Sequence, residues 1–327
     1  MAEGERFLVT GAAGCIGAWT VRLLLDEGVP VVATDITPDL RRFRLVCLGQ
    51  EDKVPEFVPL DVTSPADVAA VVTEHEITHI VHLAGMQLPL CAADPPRGAL
   101  VNVAGTVNVF EAALGAGRRV GLAYASSAAV FGNGSGYAGG MVGDGSPLAP
   151  DSHYGVYKAA NEGTARVYAA SHGLGSIGLR PFVVYGPGRD QGMTSGPTIA
   201  MLAAAAGVPY RIGFSGSLLL TYAADCAAAF IAAARAAAGA GDAVCLNVPG
   251  HRASVAGLVD LIERILPGSK SLISFEPAPI RFPALLASPA LDEITGKPRN
   301  GSLEESVRAT IGHFKQALAA GLAAVPA

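Results

Sequence analysis

Phe7-Leu8-Val9-Thr10-Gly11-Ala12-Ala13-Gly14-Cys15-Ile16-Gly17 is the stretch on which the fold turns. Its opening, inside Arg6 to Thr10, is a short continuous apolar run of the kind expected in a parallel strand buried on both faces. Three glycines follow at Gly-x-x-Gly-x-x-Gly spacing, then a helical run from Ala18 to Glu27 closed by Gly28. Such a loop gives a tight turn, close backbone approach and a helix N-terminus whose free N–H groups favour a pyrophosphate. Val29 to Asp35 is a second apolar strand with a carboxylate at its C-terminal end. Asp35 stands 18 residues beyond Gly17, near the ~20 expected for an acid that accepts hydrogen bonds from adenosine ribose hydroxyls. The spacing departs from the commoner Gly-x-Gly-x-x-Gly. Strand, glycines, helix, strand and acid together still predict a dinucleotide site. A carboxylate at that point repels a 2′-phosphate, so NAD is the expected cofactor. Arg41 and Arg42 are the residues that would argue for NADP.

Outward from this unit the alternation continues. Phe57 to Leu60 is a strand ending at Asp61, and Ser64-Pro65 opens a helix through Val72. Ile77 to Leu83 is a strand running into Ala84-Gly85, small enough for a ribose to lie against the backbone. A helix over Arg97 to Leu114 and strands over Val120 to Ser126, Ser176 to Arg180 and Ala243 to Val248 complete the pattern. The fold class is therefore α/β, a Rossmann-type doubly wound parallel sheet with a smaller C-terminal substrate-binding region. Residues 1–178 and 219–249 are expected to form the NAD-binding part, and 179–218 with 250–327 the substrate-binding part. Residues 132–150, rich in Gly, Ser and Pro, read as a loop over the strand ends.

Tyr154-Gly155-Val156-Tyr157-Lys158 supplies candidate chemistry. Ser152 is a suitable N-cap, and Tyr154 and Lys158, four apart, share a helix face with Cβ atoms ~5–6 Å apart. An ammonium there is expected to lower the phenol pKa, and a phenol so tuned can exchange a proton with a substrate hydroxyl or carbonyl. Alone the pair is weak, since a solvated Lys above a packed Tyr looks the same. A dinucleotide site in the same chain gives it weight.

Composition sets the outer limits. Half of the 327 residues are hydrophobic and 16% are charged, enough for a large core and unlike a disordered chain. A net charge of −5 offers no basic footprint for nucleic acid. Five cysteines lack C-x-x-C spacing, so neither a disulfide framework nor a metal site is expected. No apolar run reaches the ~18 residues of a membrane span, and the N-terminus lacks a signal layout. A cytoplasmic protein with a small-molecule substrate and no membrane partner is expected.

The motifs TGAAGCIG (10–17), Asp35, Asp61-Val62, HLAG (82–85), VNVAGT (101–106), YASSAAVFG (124–132), YGVYK (154–158), LRPFVVYGPGR (179–189), Asp225 and PRNGSLEESV (298–307) occur in one order over most of the chain. In this the chain resembles the extended short-chain dehydrogenase/reductases of the NAD-dependent epimerase/dehydratase type. The resemblance implies that Tyr154 is the acid/base, and that Lys158 holds the nicotinamide ribose and lowers the Tyr pKa. It also implies that Ser127, four residues before Phe131, binds the reacting oxygen, with Ser126 the neighbouring alternative. Cofactor contacts are implied at Gly11, Gly14, Cys15, Ile16, Gly17, Asp35, Asp61, Val62, Leu83, Ala84, Gly85, Tyr154, Lys158 and Phe182, and a homodimer is implied as the assembly.

Three departures bear on the activity that the resemblance implies. Ala128 and Ala129 stand where dehydratases and decarboxylases of the family carry acids. Val183 and Leu218 stand where its nucleotide-sugar enzymes usually have Asn and Arg. The first expectation is thus an NAD-dependent oxidoreductase acting on a secondary alcohol or ketone of a small sugar or sugar acid. Gln87, Ser127, Tyr185 and Arg189 would be its substrate contacts. The alternative is an NAD-dependent (nucleotide-)sugar epimerase with retained cofactor, in which Arg189, Arg211 or Arg281 would replace the missing cation. A binding protein without chemistry is a third possibility, disfavoured by the intact Ser127, Tyr154 and Lys158.

Overall fold

The computed structural model describes residues 4–50, 53–134, 137, 141–280, 285–295 and 302–325. Arg281 and residues 298–301 of the closing motif lie outside them. The main sheet has seven parallel strands in the order Ala243–Asn247, Ser176–Arg180, Gly121–Ala125, His79–His82, Phe7–Thr10, Val31–Asp35, Glu56–Pro59. Phe7 pairs with Val31 on one side and His79 on the other. The order therefore reverses beside this strand, and ligands of doubly wound sheets bind at the carboxyl ends at such a point. The Phe7–Thr10 strand is buried throughout. Period-two alternation sends Phe7 and Val9 into one core layer and Leu8 into the other.

Helices Cys15–Asp26 and Ala223–Ala237 cover the first face. Pro65–Glu74, Gly105–Gly115 and His153–His172 border the second. The alanines of Ala223–Ala237 have a purpose: a Cβ on Gly121 would lie 2.2 Å from the Ala234 carbonyl oxygen, so this helix backbone rests directly on the sheet. The helical stretch expected from Arg97 starts at Pro95 and passes through a π-turn at Leu100–Ala104. Pro95–Gly115 is long and apolar enough to cross a membrane by length and composition. Here Val109, Phe110, Ala112 and Ala113 pack into the sheet core.

A second core lies under a three-stranded sheet ordered His251–Ser254, Ser217–Tyr222, Val183–Tyr185, with helices Gly196–Ala206, Val255–Ile265 and Leu303–Ala319. Sheet membership shifts both expected boundaries. The strand through Arg180 stays in the large sheet, while Leu219 to Tyr222 belong to the small one because Leu220 pairs with Val183. Within the loop of residues 132–150, Met141-Val142 pairs with Leu285-Leu286. Asp144 accepts from the Asn247 amide at 2.6 Å and its carbonyl from Arg180 at 2.8 Å. Arg180 in turn forms a buried pair with Glu162 at 2.7 Å.

Candidate functional site

The glycine turn is dictated by contact distances. Gly11 has φ +71°, and a Cβ there would sit 2.7 Å from the Ala84 nitrogen; one on Gly17 would sit 2.2 Å from the Gly11 carbonyl oxygen. The turn is thus wedged between the neighbouring strand end and the start of the Cys15–Asp26 helix, where side chains cannot fit. It forms one end of a cleft of about 400 Å³ at the carboxyl edge of the sheet. Every expected cofactor contact lines this cleft: Gly11, Gly14, Cys15, Ile16, Gly17, Asp35, Asp61, Val62, Leu83, Ala84, Gly85, Tyr154, Lys158 and Phe182. Ser127, Gln87 and Arg189 line it as well.

Asp35 is held by the backbone N–H groups of Ala13 at 3.0 Å and Ile36 at 2.8 Å. Burial raises its pKa, opposed by those two hydrogen bonds and by Arg42. Both rival cations have partners of their own. Arg41 pairs with Asp39 at 2.7 Å; Arg42 pairs with Asp190 at 2.7 Å and donates to the Ala13 carbonyl at 2.9 Å. The donor set therefore fits an adenosine ribose diol with a pyrophosphate on the glycine turn. Asp35→Ser is expected to relax the preference for NAD over NADP, measured as the ratio of their dissociation constants. A wild-type protein that binds NADP more tightly would contradict this.

Ser152 caps the His153–His172 helix by accepting from the Gly155 amide at 3.2 Å, which places Tyr154 and Lys158 in successive turns. Lys158 is 4% exposed, donates to the Ala125 carbonyl at 2.7 Å, and has its Nζ 5.6 Å from the centre of the Tyr154 ring. The sequence leads one to expect a lowered phenol pKa. The structure shows the opposite net direction: burial raises it, while the Ser127 hydroxyl and the Arg189 charge draw it down. Burial also acts on Lys158, lowering its pKa to about 8.

This lowering predicts a pH signature. Between pH ~8 and ~10.5 the unfolded chain binds the Lys158 proton and the folded chain does not, so stability rises with pH across that window. The buried charge costs its full amount, about 3 kcal/mol, below pH 8. Thermal stability of Lys158→Met relative to wild type should accordingly be highest below pH 8 and shrink toward pH 10. A difference independent of pH would contradict it.

Ser127 caps the turn Ala128–Phe131, accepting from the Ala129 amide at 3.2 Å, and faces Tyr154. Ser126, the neighbouring alternative, is buried and gives its hydroxyl to Glu162 at 2.5 Å. Tyr157 and Tyr137 donate to the carbonyls of Pro95 and Pro147. Among the described tyrosines, Tyr154 is the one lining the cleft.

A second cavity of about 140 Å³ adjoins Ser127 and Tyr154, bounded by Gln87, Phe182, Arg189 and Thr194 among others. Of the expected substrate contacts, Tyr185 is not brought here. Its strand alternates, so Val184 faces the cleft while Val183 and Tyr185 are wholly buried in the second core. Leu218 is buried there too. Ala129, Leu88, Pro89, Met193 and Thr194 complete the cavity, and the last four were not legible as site residues. The one signal for the last two was the run of glycines Gly186, Gly188 and Gly192, which take positive φ in the loop that precedes them. No cluster of three metal-ligating side chains occurs among the described residues.

Comparison with known proteins finds relatives by sequence and by fold. The UDP-glucose 4-epimerase of Mycolicibacterium smegmatis is 36% identical over 186 residues, 57% of this chain and 58% of that protein. The L-arabinose 1-dehydrogenase (NAD(P)(+)) of Haloferax volcanii is 33% identical over 184 residues, 54% of this chain and 65% of that protein. The matches to these curated relatives thus span somewhat over half of their length. Among solved structures, MoeE5 in complex with UDP-glucose and NAD superposes with a TM-score of 0.78 at 26% identity, covering 96% of this chain and 99% of that one. The model of the NAD dependent epimerase/dehydratase family matches residues 7–247, and to that family the chain belongs.

Proposed function

We propose that this protein is an NAD-dependent enzyme acting on a secondary carbinol of a carbohydrate, with Tyr154 as acid/base. The observation that carries this is the juxtaposition, in one cleft, of a glycine turn with Asp35 and of Ser127, Tyr154 and Lys158. Bound there, NAD supplies a hydride acceptor that can also return the hydride. Ser127 orients the substrate oxygen by hydrogen bonding. Tyr154, as the phenolate favoured by the Ser127 hydroxyl and the Arg189 charge, takes the hydroxyl proton at Oη as the carbinol is oxidised, and the phenol so formed gives it back on reduction. Lys158, anchored on the Ala125 carbonyl, presents its remaining donors to the cleft.

Two outcomes share these roles. The relatives favour a sugar epimerase, which oxidises and re-reduces with the cofactor retained: two UDP-glucose 4-epimerases, 36% and 32% identical, are among them. Net dehydrogenation, the first expectation from sequence, is the second reading. It is favoured by the burial of Val183 and Leu218 in the second core, away from both cavities, and by the small volume beside Tyr154. An NAD-loaded sample offered UDP-glucose, UDP-galactose, L-arabinose and hexuronates distinguishes them. Interconversion without NADH accumulation marks an epimerase; stoichiometric NADH marks a dehydrogenase. Failure of every carbohydrate offered to react would count against both. Titration calorimetry with UDP-glucose adds a direct check: a micromolar or tighter constant would place nucleotide sugars first.

A further inference from the structure

We infer that Arg189 binds a carboxylate of the substrate, making this site selective for a sugar acid over the neutral sugar. The inference rests on the carbohydrate reading above and holds for either outcome. Among the described residues, Arg189 is the single charged one lining the smaller cavity, and no carboxylate lines it. Its neighbour Asp190 is turned away to Arg42 at 2.7 Å, and Arg189 forms no ion pair among the described residues. One arm of the guanidinium is steadied by donation to the Thr194 hydroxyl at 3.2 Å. Its Nε is buried with no acceptor.

A guanidinium stays charged, and a buried donor left unsatisfied is costly. A carboxylate accepting from Nε and one Nη in parallel satisfies both the charge and the orphaned donor. Glycine at position 192 allows the approach of a polar partner: a Cβ there would lie 2.5 Å from Gln87 Oε1 and 3.0 Å from Arg189 Nη2. Gln87 and Arg189 therefore converge on one side of the cavity, with Ser127 and Tyr154 also in its wall. The volume of about 140 Å³ is well below the ~300–1,000 Å³ of pockets for drug-sized ligands, as suits a single small sugar acid. Arg189 also borders the large cleft, so the cofactor pyrophosphate is the competing occupant. The glycine turn and helix N-terminus already provide donors for that group.

The test compares D-glucuronate and D-galacturonate with D-glucose and D-galactose by titration calorimetry on NAD-loaded wild type, Arg189→Gln and Arg189→Lys. NAD affinity is measured separately on each protein. A charge-assisted pair predicts that wild type binds the uronates about 10- to 100-fold more tightly than the neutral hexoses. Arg189→Gln should abolish that margin and Arg189→Lys should keep part of it, with NAD affinity unchanged in both. Absence of a margin in wild type, or its persistence in Arg189→Gln, would overturn the inference. So would a loss confined to NAD affinity, which would assign the guanidinium to the pyrophosphate. The hydride-transfer reading is tested independently, by NAD binding and by Tyr154→Phe.

Discussion

Tyr154→Phe is expected to lower turnover by about 10²–10⁴-fold while leaving NAD affinity close to wild type. The substitution removes one oxygen and its proton and keeps the ring that packs beneath the Lys158 ammonium, 5.6 Å from its centre. The glycine turn and Asp35, which hold the far end of the cofactor, are untouched. Neighbouring tyrosines offer no rescue, because Tyr157 and Tyr137 already donate to backbone carbonyls. Turnover and cofactor binding should therefore separate cleanly. A variant that keeps most of its activity would remove Tyr154 from the acid/base role.

The largest expected effect on stability is at Arg180→Met. Glu162 is fully buried and Arg180 is 3% exposed, joined by hydrogen bonds of 2.8 and 2.7 Å. Removing the guanidinium strands a carboxylate in the interior, which typically costs about 3–5 kcal/mol. The pair also has a bearing on the site, since Glu162 accepts from Ser126, the residue before Ser127. Urea unfolding of Arg180→Met should show that loss. The double variant Arg180→Met, Glu162→Leu should recover part of it, because no charge is then left unpaired. A cost below about 1 kcal/mol for the single variant would show that the carboxylate finds water or takes up a proton cheaply.

Much of this architecture was legible because local pattern and global fold agree. Strands such as Phe7–Thr10, buried on both faces, must be apolar throughout, and the glycine spacing follows from a turn with no room for a Cβ. Side-chain direction and net electrostatics were less legible. Tyr185 follows a recognisable motif yet faces the second core, because its three-residue strand presents Val184 to the cleft. Val183 and Leu218 stood out as missing polar contacts; in the fold they are core residues, an environment that spacing alone does not reveal. The Tyr154 pKa was expected to fall through its neighbour Lys158. Its direction is set instead by burial, a sum over surroundings distant in sequence. Alanine tracts that carry little motif information, as in Ala223–Ala237, prove to be what lets a helix backbone touch the sheet at Gly121.

Hydride transfer between a sugar carbinol and NAD, with proton exchange at Tyr154, leaves a signature that an isotope label reads. NAD-loaded protein is incubated with carbinol-deuterated UDP-glucose and carbinol-deuterated glucuronate, and the products are examined by NMR and mass spectrometry. The label is predicted to stay bound to carbon, either at C4 of the reduced nicotinamide or on the inverted carbinol of the sugar, with no reaction when NAD is withheld. Exchange of the deuterium into water would show that the carbon loses a proton and not a hydride, and conversion without NAD would exclude NAD as the hydride acceptor.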